Sequence, residues 1–156
     1  MDITITESND AKLVHELMIQ AFMEYKDEMP PSSALEETVE SISIELEGIE
    51  QAFICYLQNK PVGMVRFQVK KDHIYFSRLS VIPEKQGLGI AKALLKELEE
   101  YAIKKELTKI QCKVRMNVPR NIYLYNSVGY KIYDEKIVHK PNGINIKVVA
   151  MKKQLL

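Results

Sequence analysis

Gln86-Gly87-Leu88-Gly89-Ile90-Ala91-Lys92 is the stretch of this chain best equipped to hold a ligand. Gly87 and Gly89 lack the Cβ atoms that keep a ligand away from the backbone. A helical pattern follows at once, and the N–H groups of a first helical turn have no acceptors within the helix. The helix dipole adds partial positive charge at the same place. A β-rich run ending at Pro83, a glycine loop and a helix start thus make an anion site suited to phosphate. A Walker loop would need Gly-Lys-Ser/Thr, and Ile90 follows Gly89. A Rossmann fingerprint needs Gly or Ala where Lys92 stands. It also needs an acid at the end of the next strand, which closes on Lys113-Val114-Arg115-Met116.

Gln86-x-x-Gly89-x-Ala91 resembles the pyrophosphate loop of GCN5-related N-acetyltransferases, whose pattern is Arg/Gln-x-x-Gly-x-Gly/Ala. A second match lies at Asn117 to Tyr130, similar to that family's Asn-x-x-Ala-x-x-Leu-Tyr followed three residues later by Gly-Phe. Asn117, Leu124, Tyr125 and Gly129 fit, Tyr130 stands in for Phe, and Asn121 replaces the Ala. The resemblance covers nearly the whole chain and implies acetyl-coenzyme A as cosubstrate. It implies that Gln86, Gly87, Gly89, Ile90, Ala91 and Lys92 meet the diphosphate, mainly through backbone N–H groups. Leu79 and Val81 would offer backbone groups to the pantetheine arm, their side chains being core. Asn117 and Tyr125 complete the implied cofactor contacts.

The implied reaction is direct acetyl transfer from the thioester to a primary amine of a small molecule or peptide. A phenol beside the sulfur can assist the departing thiolate. Thiols titrate near ~8.5 and phenols near ~10, so a hydrogen bond suffices where full proton transfer is uphill. Tyr125 takes that role from its place in the motif, whereas Tyr123 reads as packing. A lysine-like amine titrates near ~10.4, so on the order of one molecule in a thousand is nucleophilic near neutrality. His73, counted back from Gln86, stands where several family members keep a Glu or His, and is the candidate base. Tyr75, Glu24 and Glu28 are weaker candidates. His15 and His139 read as surface residues, and Cys112 as inert core. No metal ligand set is assigned. The alternative to an enzyme is a non-catalytic module that binds or senses acyl-coenzyme A.

The elements that must position these residues follow from periodicity. Ile3 and Ile5 alternate with threonines as a first strand. Ser8-Asn9-Asp10 offers helix caps ahead of Leu13, Leu17, Met18, Ala21 and Phe22, and Pro30-Pro31 ends that helix. Ser33-x-x-Glu36 reads as the capping box of a second helix ending at Gly48. Residues 52–57, 62–69 and 73–81 are strand-like, joined by short polar links. Ile90, Leu94, Leu95, Leu98 and Ala102 mark a third helix, and 109–114 a strand parallel to the one before the loop. Pro119 opens a fourth helix over 121–128, stopped by Gly129. Strands over 130–138 and 144–151 close the chain. The expected fold is a single α+β domain over residues 1–156. The family resemblance implies a mixed central sheet of about seven strands with helices on both faces.

Composition is consistent with this reading. Residues are 46% hydrophobic and 28% charged, the balance of a globular domain able to bury one core. A formal charge of +1 gives no global pull toward nucleic acid or anionic membrane, so neither is expected as a partner. Cys55 and Cys112 fall inside strand-like runs, and the N-terminus has no signal-like apolar stretch, so a cytoplasmic location is expected. The last strands offer an edge for homodimer pairing.

Overall fold

The computed structural model describes residues 2–25, 33–141 and 143–155. β1 (Ile3–Glu7) leads to α1 (Ala11–Phe22), whose N-terminus is capped by Asp10 accepting from the Leu13 amide at 3.2 Å. Pro30-Pro31 and Glu28 lie outside the described residues. Ser33–Glu36 is a single 3-10 turn, and α2 (Val39–Glu47) starts later than expected. Its capping box is Thr38 with Ser41, whose side chains and backbone amides bond reciprocally at 3.1 and 2.9 Å. Ser33 and Glu37 are engaged instead by distant arginines, and this tertiary demand displaces the local signal.

β2 (Glu50–Leu57), β3 (Lys60–Val69) and β4 (His73–Val81) form an antiparallel meander. α3 (Ile90–Lys104) then crosses to β5 (Lys109–Arg115), which runs parallel to β4. α4 (Pro119–Ser127) precedes the hairpin β6 (Lys131–His139) and β7 (Asn145–Gln154). The seven-stranded sheet has the order β1-β2-β3-β4-β5-β7-β6, mixed because only β4 and β5 are parallel. Helices cover both faces, as expected. Val14, Leu17, Met18 and Ile42 of α1 and α2 pack on Ile54 and Met64. On the other face Leu94, Leu95 and Leu98 of α3 meet Phe67, Ile74 and Ile110.

Two irregularities shape the sheet around β4. Pairing of β4 with β5 runs only from His73↔Lys109 to Tyr75↔Gln111, so beyond Tyr75 the two strands diverge. On its other edge β4 carries a bulge: Met64 faces Ser80 and Arg66 faces Ser77, so Val65 alone opposes Arg78 and Leu79. Arg78 sits there at φ 56°, a left-handed conformation that a long side chain adopts only when its surroundings enforce it. Its guanidinium reaches Glu37 at 3.2 Å and Ser33 Oγ at 3.0 Å. Glu37 also accepts from buried Arg66 at 2.8 Å, and Arg66 donates to Glu50 as well.

Phe76, Tyr125 and Tyr130 form an aromatic cluster beneath α4, with ring centroids 5.5 to 5.9 Å apart. Tyr130 is 1% exposed, and its hydroxyl makes no hydrogen bond among the described residues. Burial pushes that phenol far above its ordinary range. Removing a buried, unpartnered polar atom recovers its desolvation cost. Tyr130→Phe is therefore expected to raise the unfolding free energy by about 1–2 kcal/mol in a chemical denaturation series. A loss of stability would mean that the hydroxyl is paired.

Candidate active site

The loop after β4 takes the shape its glycines allow. A 3-10 turn at Pro83–Lys85 leads into Gly87 at φ 81° and Gly89 at φ 84°, the latter serving as N-cap of α3. A Cβ built at either glycine would meet no heavy atom within 4 Å, so both look out onto open space. The amides of Ile90, Ala91 and Lys92 precede the first intrahelical bond of α3, which runs from Ala93 N–H to the Gly89 carbonyl at 3.0 Å. Ile90 is clamped from below. Gly63 of β3 lies under it so closely that a Cβ there would come within 3.1 Å of Ile90 Cγ2 and 2.9 Å of the Ser80 carbonyl. A glycine on β3 therefore sets the depth at which the helix start rests on the sheet.

A cleft of about 370 Å³ opens over this loop, lined by Leu79, Val81, Gln86, Gly87, Gly89 and Lys92 among others. Ile90 and Ala91 also contribute to its wall. Leu79 and Val81, expected as core, are half-buried and pack against the main core cluster, and both also line the cleft where the neighbouring strand has turned away. Lys85 and Arg120, read from sequence as possible phosphate contacts but more simply as solvated charges, also stand in the wall. Arg120 is paired with Glu24 at 2.7 Å, and Glu24 also accepts from Gln86 at 3.4 Å.

A second cavity of about 450 Å³ fills the gap between the diverging strands. Tyr75, Ser77, Lys113, Arg115 and Tyr125 line it, with Arg66, Arg78 and their carboxylate partners as its floor. Phe22, Leu79 and Asn121 line both cavities, so these meet beside the bulge. Tyr125 is 6% exposed, its ring held edge-on to Phe76 at 81°, while Tyr123 is 74% exposed and does not pack as expected. Asn121, the departure from the family pattern, stands where the cavities join. Burial raises the Tyr75 phenol, so near neutrality it is a hydrogen-bond donor and no base.

Two expected site residues are not brought here. His73 stands at the far end of β4, paired with Lys109 across the sheet, and lines neither cavity. Its Nδ1 lies 2.7 Å from Asp72 Oδ1, and that hydrogen bond is the main cause holding the Asp72 carboxyl below its usual range. Asn117 is exposed after β5 and also lines neither cavity. His15 contacts the Glu37 carbonyl at 3.1 Å, and exposed His139 contacts Asn145. Burial pushes the Cys55 thiol to about 11 and Cys112 to about 12, so neither is a thiolate near neutral pH.

The family model of the acetyltransferase (GNAT) family matches residues 13–130, which include both cavities' helices and the glycine loop. The chain belongs to this family. Acetyl-coenzyme A is therefore its cosubstrate, and the two glycines that leave the backbone bare, together with the α3 amides, fit a diphosphate. Solved GNAT structures share the fold over essentially the whole chain. The ribosomal-protein-S18-alanine N-acetyltransferase of Escherichia coli superposes with TM-score 0.79 at 18% identity, covering 99% of this chain and 94% of that one. PaiA N-acetyltransferase of Thermoplasma acidophilum, solved with coenzyme A, gives 0.79 at 16% identity and 99% coverage of both chains. A spermidine N-acetyltransferase SpeG chimera from Vibrio cholerae and hSSAT gives 0.77 at 19% identity, covering 99% and 96%. No curated protein matches by sequence. Among the described residues, no helix of this GNAT chain is long and apolar enough to cross a membrane.

Proposed function

We propose that this chain transfers the acetyl group of acetyl-coenzyme A directly to a primary amine of a small molecule or peptide. The observation that carries the reading is the divergence of β4 from β5 after Tyr75, which joins a phosphate-ready cleft to a second cavity. The cosubstrate supplies an activated acetyl group as a thioester. Gln86, Gly87, Gly89, Ile90 and Ala91 would hold the diphosphate through backbone N–H groups, with Lys92 adding charge. The edges of Leu79 and Val81 facing the gap have no strand partner among the described residues, and the Val81 carbonyl accepts from Gln86 Nε2 at 3.3 Å, so backbone groups there can bond the pantetheine amides and the thioester carbonyl. Asn117, exposed and lining neither cavity, keeps a place in the proposal only through the family pattern.

The amine enters from the second cavity, attacks the carbonyl carbon and forms the C–N bond. The C–S electron pair leaves on sulfur, where Tyr125 donates a hydrogen bond or its proton. The amine proton passes to solvent in the cavity. Glu37 and Glu50, the carboxylates lining it among the described residues, are both engaged by Arg66. His73 is at most a remote relay from its position. The free, buried cysteines suit a reducing cytoplasmic setting. β6 is exposed along its whole length and is the edge at which a second copy would pair.

The test is to incubate the protein with acetyl-coenzyme A and a panel of amino acids, polyamines, aminoglycosides and peptides, following free thiol and acetylated product. Amine-dependent thiol release is expected. Tight coenzyme binding with no release in any amine class would replace catalysis by acyl-coenzyme A sensing.

A further inference from the structure

We infer that the acceptor is a small amine that also carries a carboxylate, of the amino-acid class, and that Lys113 with Arg78 recognises that carboxylate. The inference rests on the transferase reading above and concerns the second cavity alone. Among the described residues, Arg66, Arg78, Lys113, Arg115 and Lys140 line that cavity as cations, against the carboxylates Glu37 and Glu50. Both carboxylates are tied into the floor. Glu50 bonds Arg66, and Glu37 bridges Arg66 at 2.8 Å and Arg78 at 3.2 Å. Lys113 and Lys140 pair with no carboxylate among the described residues. Among the described residues, the cavity thus keeps the charges of Lys113 and Lys140 after the Arg66 and Arg78 pairs are formed.

The excess is placed by the fold. Lys113 and Arg115 alternate with Cys112 and Val114 on β5, so both project away from the α3 core into the gap left when β4 turns aside. Across the gap, the bulge holds Arg78 at positive φ, and its guanidinium lines the same cavity. Backbone strain of this kind persists where surrounding contacts fix it, and here Arg78 stands in the cavity wall while its guanidinium bonds Glu37 and Ser33. The cavity, about 450 Å³ and open to solvent at Lys113, gathers this charge on one side of the sheet. Such a site attracts a carboxylate held a few ångströms from the reacting amine. It repels a polyamine, whose further ammonium groups would enter beside uncompensated lysines. The volume suits a free amino acid better than a folded protein tail.

The test compares each of the common amino acids with its own carboxamide as acceptor for the full chain. The carboxamide's amine resembles a peptide N-terminus, titrating near ~7.7–8.0, so nucleophile availability alone favours the carboxamide. The expected result is the opposite order: kcat/KM at least ~10-fold higher for the acid of the preferred residue, carried in KM. Lys113→Glu should raise KM for that acid ~10–100-fold and bring the acid-to-carboxamide ratio toward one. Lys136→Glu, an equal charge change on exposed β6 outside the cavity, should keep the ratio. Equal use of acid and carboxamide, faster turnover of spermidine, or faster turnover of an acidic peptide overturns the inference. If no amine is acetylated at all, the transferase reading fails separately. Calorimetry of the amino acids on protein saturated with coenzyme A then decides the matter. Binding of acid but not carboxamide upholds the anion site, and binding of neither overturns it.

Discussion

Gly89→Val is expected to weaken acetyl-coenzyme A binding ~10–100-fold while leaving a folded protein. Gly89 caps α3 at φ 84°, and a Cβ there would point into open space over the loop. Two separate effects follow from a β-branched side chain at that place. It strains the backbone, at a cost of ~1–3 kcal/mol, because positive φ is hostile to branched residues. It also occupies the volume through which a diphosphate must approach the amides of Ile90 and Ala91. Loss of one charge-assisted hydrogen bond accounts for ~10–100-fold in affinity. Gly143→Val separates the two. Gly143 has φ 83° and equally open surroundings but lines neither cavity, so it carries the strain without the obstruction. Both variants should lose several degrees of melting temperature, at ~2–4 °C per kcal/mol for a chain of this size. Only Gly89→Val should lose coenzyme affinity in calorimetry. Unchanged affinity in that variant would remove the loop from the binding site.

What could be read in the chain before its structure was the part encoded locally. Ile90, Leu94, Leu95 and Leu98 recur at helical spacing because one face meets the sheet, and all four are buried. Positive φ at Gly87 and Gly89 follows from the glycines themselves. The β2–β3 hairpin was also legible in the polar link Gln58-Asn59-Lys60-Pro61, but its turn is tighter than that link, with Gln58 and Asn59 left-handed and β3 starting at Lys60. The bulge was not. Ser77-Arg78-Leu79-Ser80 contains no glycine, and what holds Arg78 at positive φ comes from Ser33 and Glu37, more than forty positions away in the chain. The same remote demand hid the true start of α2. His73 matched by counting along one strand, yet a strand rises ~3.3 Å per residue, which puts it about 20 Å from Leu79. The charged face of β5 was written in Lys113-Val114-Arg115. Its meaning depends on β4 turning away, which no local pattern announces.

Tyr125→Phe is expected to lower kcat ~10²–10⁴-fold while changing coenzyme affinity less than ~3-fold. The ring is fixed by packing that Phe reproduces. It meets Phe76 edge-on with centroids 5.5 Å apart, and Tyr130 at 5.9 Å. Only the hydroxyl is removed, and Tyr125 lines the cavity that adjoins the cofactor cleft. Sulfur carries little charge in the thioester and nearly a full charge as it departs, so a donor there strengthens toward the transition state. The ordinary gap between phenol and thiol, ~1.5 units, costs about 2 kcal/mol for complete proton transfer. Tyr125 therefore contributes through a hydrogen bond that tightens as the C–S bond breaks. Tyr123→Phe is the control from the same helix, since Tyr123 is exposed and lines neither cavity. Its kcat should stay within twofold of the parent. Equal losses in both variants would assign the effect to the helix as a whole. Full turnover of Tyr125→Phe, with acetyl transfer shown to be the slow step by single-turnover kinetics, would leave solvent as the proton source for the departing thiolate.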